Sequence, residues 1–158
     1  MMKKRIQQEF NAALKEKRET EVSVLRLLNA AILQAEKEKR YRLKEEKDTP
    51  LTDEEIIDVV SSEAKKRKEA IAEFAEAALH LSPRSNSAFE KGKIEGLVSK
   101  EKQELEILQK YLPEQLPAEE IQKLAAEAIQ KTGAKEIKDI GKVMAELMPS
   151  VKNRADGS

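Results

Sequence analysis

The chain has 158 residues, enough for one domain or for two small ones sharing an interface. Charged residues make up 38%, aromatics only 3%, and Trp is absent, so the core must be built from Leu, Ile, Val, Ala and Met, the palette of helical bundles. Lys+Arg and Asp+Glu both count 30, so no net field gathers a polyanion from a distance, and the lack of Cys excludes a disulfide framework, a thiol nucleophile and a zinc finger. No run approaches the ~18 apolar residues of a membrane span. The N-terminal "MMKKRIQQEFNAAL" lacks an apolar signal core and a small-residue cleavage site, which points to a soluble cytoplasmic protein.

In chain order, Ile6, Phe10, Ala13 and Leu14 recur on one face of a first helix. The polar "KEKRET" turns the chain, with Thr20 as the expected N-cap of a second helix. Val22, Leu25, Leu28, Ile32 and Ala35 form its stripe, which fades into a charged end, "EKEKRYRLKEEKD". The best-marked start is "LTDEEI", where Thr52 can cap a third helix, Glu55 can reach back to it, and Leu51 and Ile56 can form a hydrophobic staple. Ile56, Val60, Ala64, Ile71 and Phe74 continue at helical spacing. Residues 80–96, with Pro83, two Gly and clustered Ser and Asn, break the period and predict a loop. Val98, Leu105, Leu108 and Leu112 make a further stripe, which Pro113 ends. After the stiff "YLPEQLP", Leu116 and Ile121 staple another start with Pro117 in the capping position. Ile121, Leu124, Ala125, Ala128 and Ile129 face inward up to Gly133, a ready stop. A short apolar helix, Ile140 to Met148, then stops at Pro149. The predicted architecture is all-α: a long-helix bundle over 1–112 and a small helical domain over 113–158. The repeated start signals are not an internal repeat.

The chemistry of a self-sufficient enzyme is missing from the pattern. No GxxxxGK[ST] loop is present to cradle a phosphate, and the sole His80 has no second His or Cys to share a metal. Neither a cofactor nor a metal is expected. Carboxylate pairs such as Glu54-Glu55 and Glu119-Glu120 lie in first helical turns, where the macrodipole favours anions. Ser61, Ser62 and Ser99 have no base to activate them. Three basic clusters stand out: Lys37, Lys39, Arg40, Arg42 and Lys44; Lys65, Lys66, Arg67 and Lys68; and Lys142, Lys152 and Arg154. The first two read most simply as solvated faces laced with i,i+4 pairs. The third flanks "PSVKNRADGS", whose amide donors, cations and helix start near Asp156 could hold a backbone phosphate, although Asp156 would itself fill the N-cap. Packing and recognition both remain open there.

At "LEILQKYLPEQLPAEEI" and "GKVMAELMPSVKNRADG" the chain resembles the GatB/YqeY family, in particular its stand-alone YqeY-like members. The "RLLNAAI" and "EAKKRKEAIAEF" segments fit the same family less distinctively. The resemblance implies an all-helical protein whose smaller domain is similar to the tail of the B subunit of the tRNA-dependent amidotransferase. That enzyme amidates mischarged Glu-tRNA or Asp-tRNA with glutamine as nitrogen donor, and its tail contacts the tRNA body without performing chemistry. Similar domains occur beside glutaminyl-tRNA synthetase. Carried over by motif, Gly141, Lys142, Val143, Met144, Met148, Pro149, Lys152, Arg154, Ala155, Asp156 and Gly157 match the tail's hairpin. Gly141 would permit close helix approach, Val143, Met144, Leu147 and Met148 would be core, and Lys142, Lys152 and Arg154 would meet RNA phosphates.

Three departures accompany the match. Pro117 replaces a serine, Asn153 replaces a glycine, and the 80–96 segment is longer than the family's turn. The family also continues past "ADGS" with a further apolar helix, so a last helix is expected beyond the present chain. Two function classes follow, beside a third reading as an amidotransferase component active only with other subunits. One is a tRNA-associated accessory protein, tied at family level to carbon–nitrogen ligation with glutamine as amido donor and partnered by tRNA, a synthetase or amidotransferase subunits. The other is a protein–protein module whose long helices dock a partner helix.

Overall fold

A computed structural model describes residues 1–44, 49–80 and 87–155. Among them the chain forms six α-helices and one 3-10 turn, with no strand, so the fold is all-α. Helices α1 (Met2–Lys15), α2 (Glu19–Leu43), α3 (Asp53–Leu79) and α4 (Ser87–Gln109) belong to one compact unit, Met1–Tyr111. A second unit, Leu112–Ser158, holds α5 (Ala118–Thr132), the 3-10 turn Ile137–Asp139 and α6 (Ile140–Val151).

The first unit is organised by the apolar stripes. Ile6 and Ala13 of α1, Val24, Leu25, Leu28 and Ile32 of α2, Ile56, Val60 and Ala64 of α3, and Ile107 and Leu108 of α4 are all buried. Each large aliphatic side chain in such a position contributes roughly 2 kcal/mol by leaving water. Leu14, expected inward, is exposed, and Val24, outside the predicted stripe, is fully buried. The α1–α2 turn also departs from expectation. Arg18, not Thr20, is the N-cap of α2, and it makes no side-chain cap bond. The reason lies one residue earlier: Lys17 adopts a left-handed φ of 56°, its amide donates to the Leu14 carbonyl, and the Arg18 amide reaches Ala13. That pair of bonds is a Schellman closure, which ends α1 and restarts the helix at once.

The α3 start matches its sequence signature. The Thr52 hydroxyl accepts from the Glu55 amide at 3.2 Å, while the Glu55 carboxylate accepts from the Thr52 amide at 2.8 Å. The predicted loop over 80–96 is corrected. Residues 81–86 lie outside the described residues, but α4 starts at Ser87 and runs through Gly92 and Gly96. Glycine costs a helix only about 1 kcal/mol relative to Ala. The surrounding residues are good helix formers, Lys93 sits over the Phe89 ring one turn away at 4.7 Å, and α4 packs along α3. Between these two helices lies Glu104, only 5% exposed, whose carboxylate takes the Arg67 guanidinium at 3.2 Å while Arg67 also holds Glu63 at 3.0 Å.

Tyr111 closes the unit. Its buried hydroxyl donates to Glu9, and Arg5, paired with Glu9 at 2.9 Å, lies over its ring. Burial pushes the Tyr111 phenol well up, reinforced by Glu9. Burial also pushes Glu9 up, but the Tyr111 hydroxyl, Arg5 and Lys110 together hold its carboxyl below the ordinary range.

Candidate functional site

In the second unit, α5 begins without a capping side chain. Pro117 takes the N-cap position in extended backbone, and its carbonyl accepts from the Glu120 and Ile121 amides. Gly133 ends the helix in the left-handed region at φ 63°, a conformation that costs glycine nothing. The helix α6 then packs on α5. It does not stop at Pro149, as the sequence suggested, but carries on to Val151. A proline in mid-helix forfeits one bond and crowds the preceding turn. Pro149 instead sits in the last turn, which stays closed because the Lys152 amide reaches Met148 at 2.9 Å and Val151 is buried.

Beyond α6 the backbone folds back on itself. The Val151 carbonyl accepts from both Arg154 and Ala155, and Asn153, just before them, has a left-handed φ of 62°. Asn is among the few non-glycine residues that tolerate this region, which accounts for Asn at a position where the resemblance implies Gly. This turn is fastened to the connector before α5. The Leu116 amide donates to the Arg154 carbonyl at 2.7 Å, the Gln115 side-chain amide donates to the Asn153 carbonyl at 3.1 Å, and the Arg154 Nε reaches the Glu114 carbonyl at 3.4 Å. The two sequence motifs that carry the family resemblance are therefore one structural feature.

The candidate cations divide. Lys152 and Arg154 flank Asn153 on this turn and are both exposed. Lys142 lies in the first turn of α6, ten residues earlier and ~15 Å away along the axis, and it is bonded to Asp139 at 3.1 Å. The structure thus groups two of the three. The readings of the apolar motif positions need correction. A Cβ on Gly141 would meet nothing within 4 Å, so this glycine does not serve close packing. Val143 and Leu147 are half-buried, but Met144 and Met148 are 42% and 45% exposed, and Ile129 faces out rather than in. With Ile137 and Ile140 these methionines form an exposed apolar row, because α6 presents only its Val143–Leu147–Val151 side to the interior. Asp156 and Gly157 lie outside the described residues.

In the first unit, the cluster around Arg67 is tied into ion pairs, as a laced helix face requires. The cluster at the end of α2 is tied among the described residues through Lys39. Lys39 bonds Glu55 at 2.7 Å, and that contact, with the Thr52 amide, holds the Glu55 carboxyl below the usual carboxylate range. The contact of Gln115 with Asn153 is not legible in the sequence, because the Gln115 side chain donates to a backbone carbonyl that any residue would offer. The exposed Tyr41 beside the first cluster, by contrast, stood in plain view within "KEKRYRLK". Among the described residues no three His, Cys, Asp or Glu side chains are grouped to hold a metal ion, and no helix is long and apolar enough to cross a membrane.

A comparison with curated proteins yields no match. Residues 3–80 and 82–158, nearly the whole chain, match the family described as Yqey-like protein. With an all-helical fold, and with the connector and the post-α6 turn bonded as one feature, the chain belongs to the YqeY-like protein family.

Proposed function

We propose that this protein is a tRNA-associated accessory protein that performs no bond-making step by itself and serves the glutamine-dependent amidation of aminoacyl-tRNA through its partners. The observation that carries the reading is the exposed Lys152–Asn153–Arg154 turn, whose backbone is held by Leu116, Gln115 and Val151. A pinned turn with outward cations meets a phosphate backbone at little conformational cost, and such contacts fix register without reading bases. Filter binding of bulk tRNA to the full chain tests it. Binding is expected to weaken steeply with salt and to fall in the Lys152→Ala, Arg154→Ala double variant. Equal affinity of that variant removes the turn from the RNA interface, and turnover of Glu-tRNA by the isolated chain overturns the accessory role.

A second reading, a protein–protein module, is favoured by the apolar row on α6. Ile137 is 90% exposed and Ile140 is 61% exposed, a larger apolar display than an isolated surface helix needs. Charge substitutions at Met144 and Met148 that abolish capture of an amidotransferase subunit while sparing tRNA binding would assign this face to protein recognition.

A further inference from the structure

The end of α2 carries a second, different cationic feature. Lys37, Tyr41 and Lys44 follow one another at four and three positions, so they share one face over ~10 Å of axis. With Gln34, Glu38 and Arg40 they line one surface depression, and Lys37 and Arg40 also border a neighbouring one with Lys3 and Pro50. Tyr41 is 88% exposed, the most solvated aromatic among the described residues. Lys37, Arg42 and Lys44 have no carboxylate partner among the described residues, whereas Lys39 is committed to Glu55 and the Glu38 carboxylate to Gln34.

The negative end of the helix dipole accounts for cations in a last turn. It does not account for Lys37, which lies a full turn further back, or for a tyrosine standing free in water. An aromatic ring with a cation on either side along one helix face is the arrangement that binds an unpaired nucleotide. The base stacks on the ring and the flanking phosphates meet the ammonium groups, with no requirement for a particular base. A duplex offers no such base, and an acidic peptide has no use for the ring between the cations.

We propose that the Lys37–Tyr41–Lys44 face of α2 binds a single-stranded segment of RNA. The choice of RNA over DNA rests on the RNA association proposed above; the stacking face itself does not, and it is tested apart from the Lys152–Arg154 turn. Fluorescence anisotropy of the full chain with a labelled 12-nucleotide single-stranded RNA, with the same sequence as DNA and with the RNA duplex as competitors, gives the readout. Single-stranded RNA is expected to bind more tightly than the duplex. Tyr41→Ala should weaken it about 10-fold, and Tyr41→Phe should stay within about 2-fold of wild type. Lys37→Ala with Lys44→Ala should lower the salt slope by about 1.4, since each cation adds about 0.7 on a single strand. Circular dichroism melting should be unchanged for every variant, since all three side chains are exposed. No binding of the 12-mer, equal affinity of Tyr41→Ala, or equal competition by duplex overturns the proposal, and tighter binding of the DNA strand overturns the assignment to RNA. Loss of 12-mer binding in Tyr41→Ala sustains it even where the Lys152→Ala, Arg154→Ala variant binds tRNA like wild type.

Discussion

The Leu116 amide donates to the Arg154 carbonyl at 2.7 Å, joining residues 38 positions apart, and Leu116 itself is buried. Leu116 therefore anchors the connector in the second unit, while Glu114, Gln115 and Pro117 around it stay exposed. Leu116→Ala is expected to destabilise this unit by about 2–4 kcal/mol through the cavity it leaves. Hydrogen exchange should report it as faster exchange at the Leu116 and Arg154 amides, with the α2 and α3 amides unaffected.

Asn153 offers a conformational test. At φ 62° it occupies a region that a β-carbon disfavours by about 1 kcal/mol. Asn153→Gly is expected to be neutral or slightly stabilising, and Asn153→Val to cost about 1–2 kcal/mol, read from the urea midpoint with m unchanged.

Gly92, Gly96 and Gly141 all sit within helices with open space where a β-carbon would be. Each Gly→Ala substitution should therefore stabilise by about 0.5–1 kcal/mol, measured by thermal melting. A loss at Gly141→Ala would restore the close-approach role that the family resemblance implied.

The α3 start couples stability to acid. The Lys39 ammonium and the Thr52 amide hold the Glu55 carboxyl below its ordinary 4.5. A carboxyl depressed in the folded state stabilises above its unfolded value, and that contribution is lost as pH falls through the folded one. The urea midpoint should thus drop on acidification below about pH 4.5, and Glu55→Gln should drop less. Thr52→Ala should cost about 1 kcal/mol at neutral pH by removing the cap.

Much of this architecture was legible because its signals are local. The Thr52–Glu55 capping box, the stop at Gly133 and the stripes of α1 to α3 each declare themselves within one or two turns. The features that escaped are of two kinds. The helical start at Ser87 is blurred by Gly92 and Gly96, whose modest cost is offset by packing that the sequence does not display. Glu104 is charged at an interior position because Arg67 waits 37 positions upstream, and the Leu116–Arg154 link is carried by backbone atoms that leave no residue signature. Periodicity also says which face of α6 is apolar, not whether anything covers it, so it predicts core positions for Met144 and Met148, which the structure leaves exposed. Of the candidate cations, residue type marked all three, but only the fold separates Lys142 from Lys152 and Arg154.

The Arg67–Glu104 pair makes a sharp test. Arg67→Met leaves the Glu104 carboxylate, 5% exposed, with the exposed Lys100 ammonium at 4.0 Å in place of its part-buried partner and should cost on the order of 3 kcal/mol, whereas Arg67→Met with Glu104→Leu should recover most of it. A double-mutant cycle from urea denaturation measures the coupling; additive losses would mean that the two side chains act independently.

The clasp between residue 116 and residue 154 also bears on how this unit comes apart. It ties the backbone ahead of α5 to the backbone behind α6, so neither helix can peel away without breaking the bond that fastens the other. Two short helices, each marginal alone in water, are thereby made to melt as one.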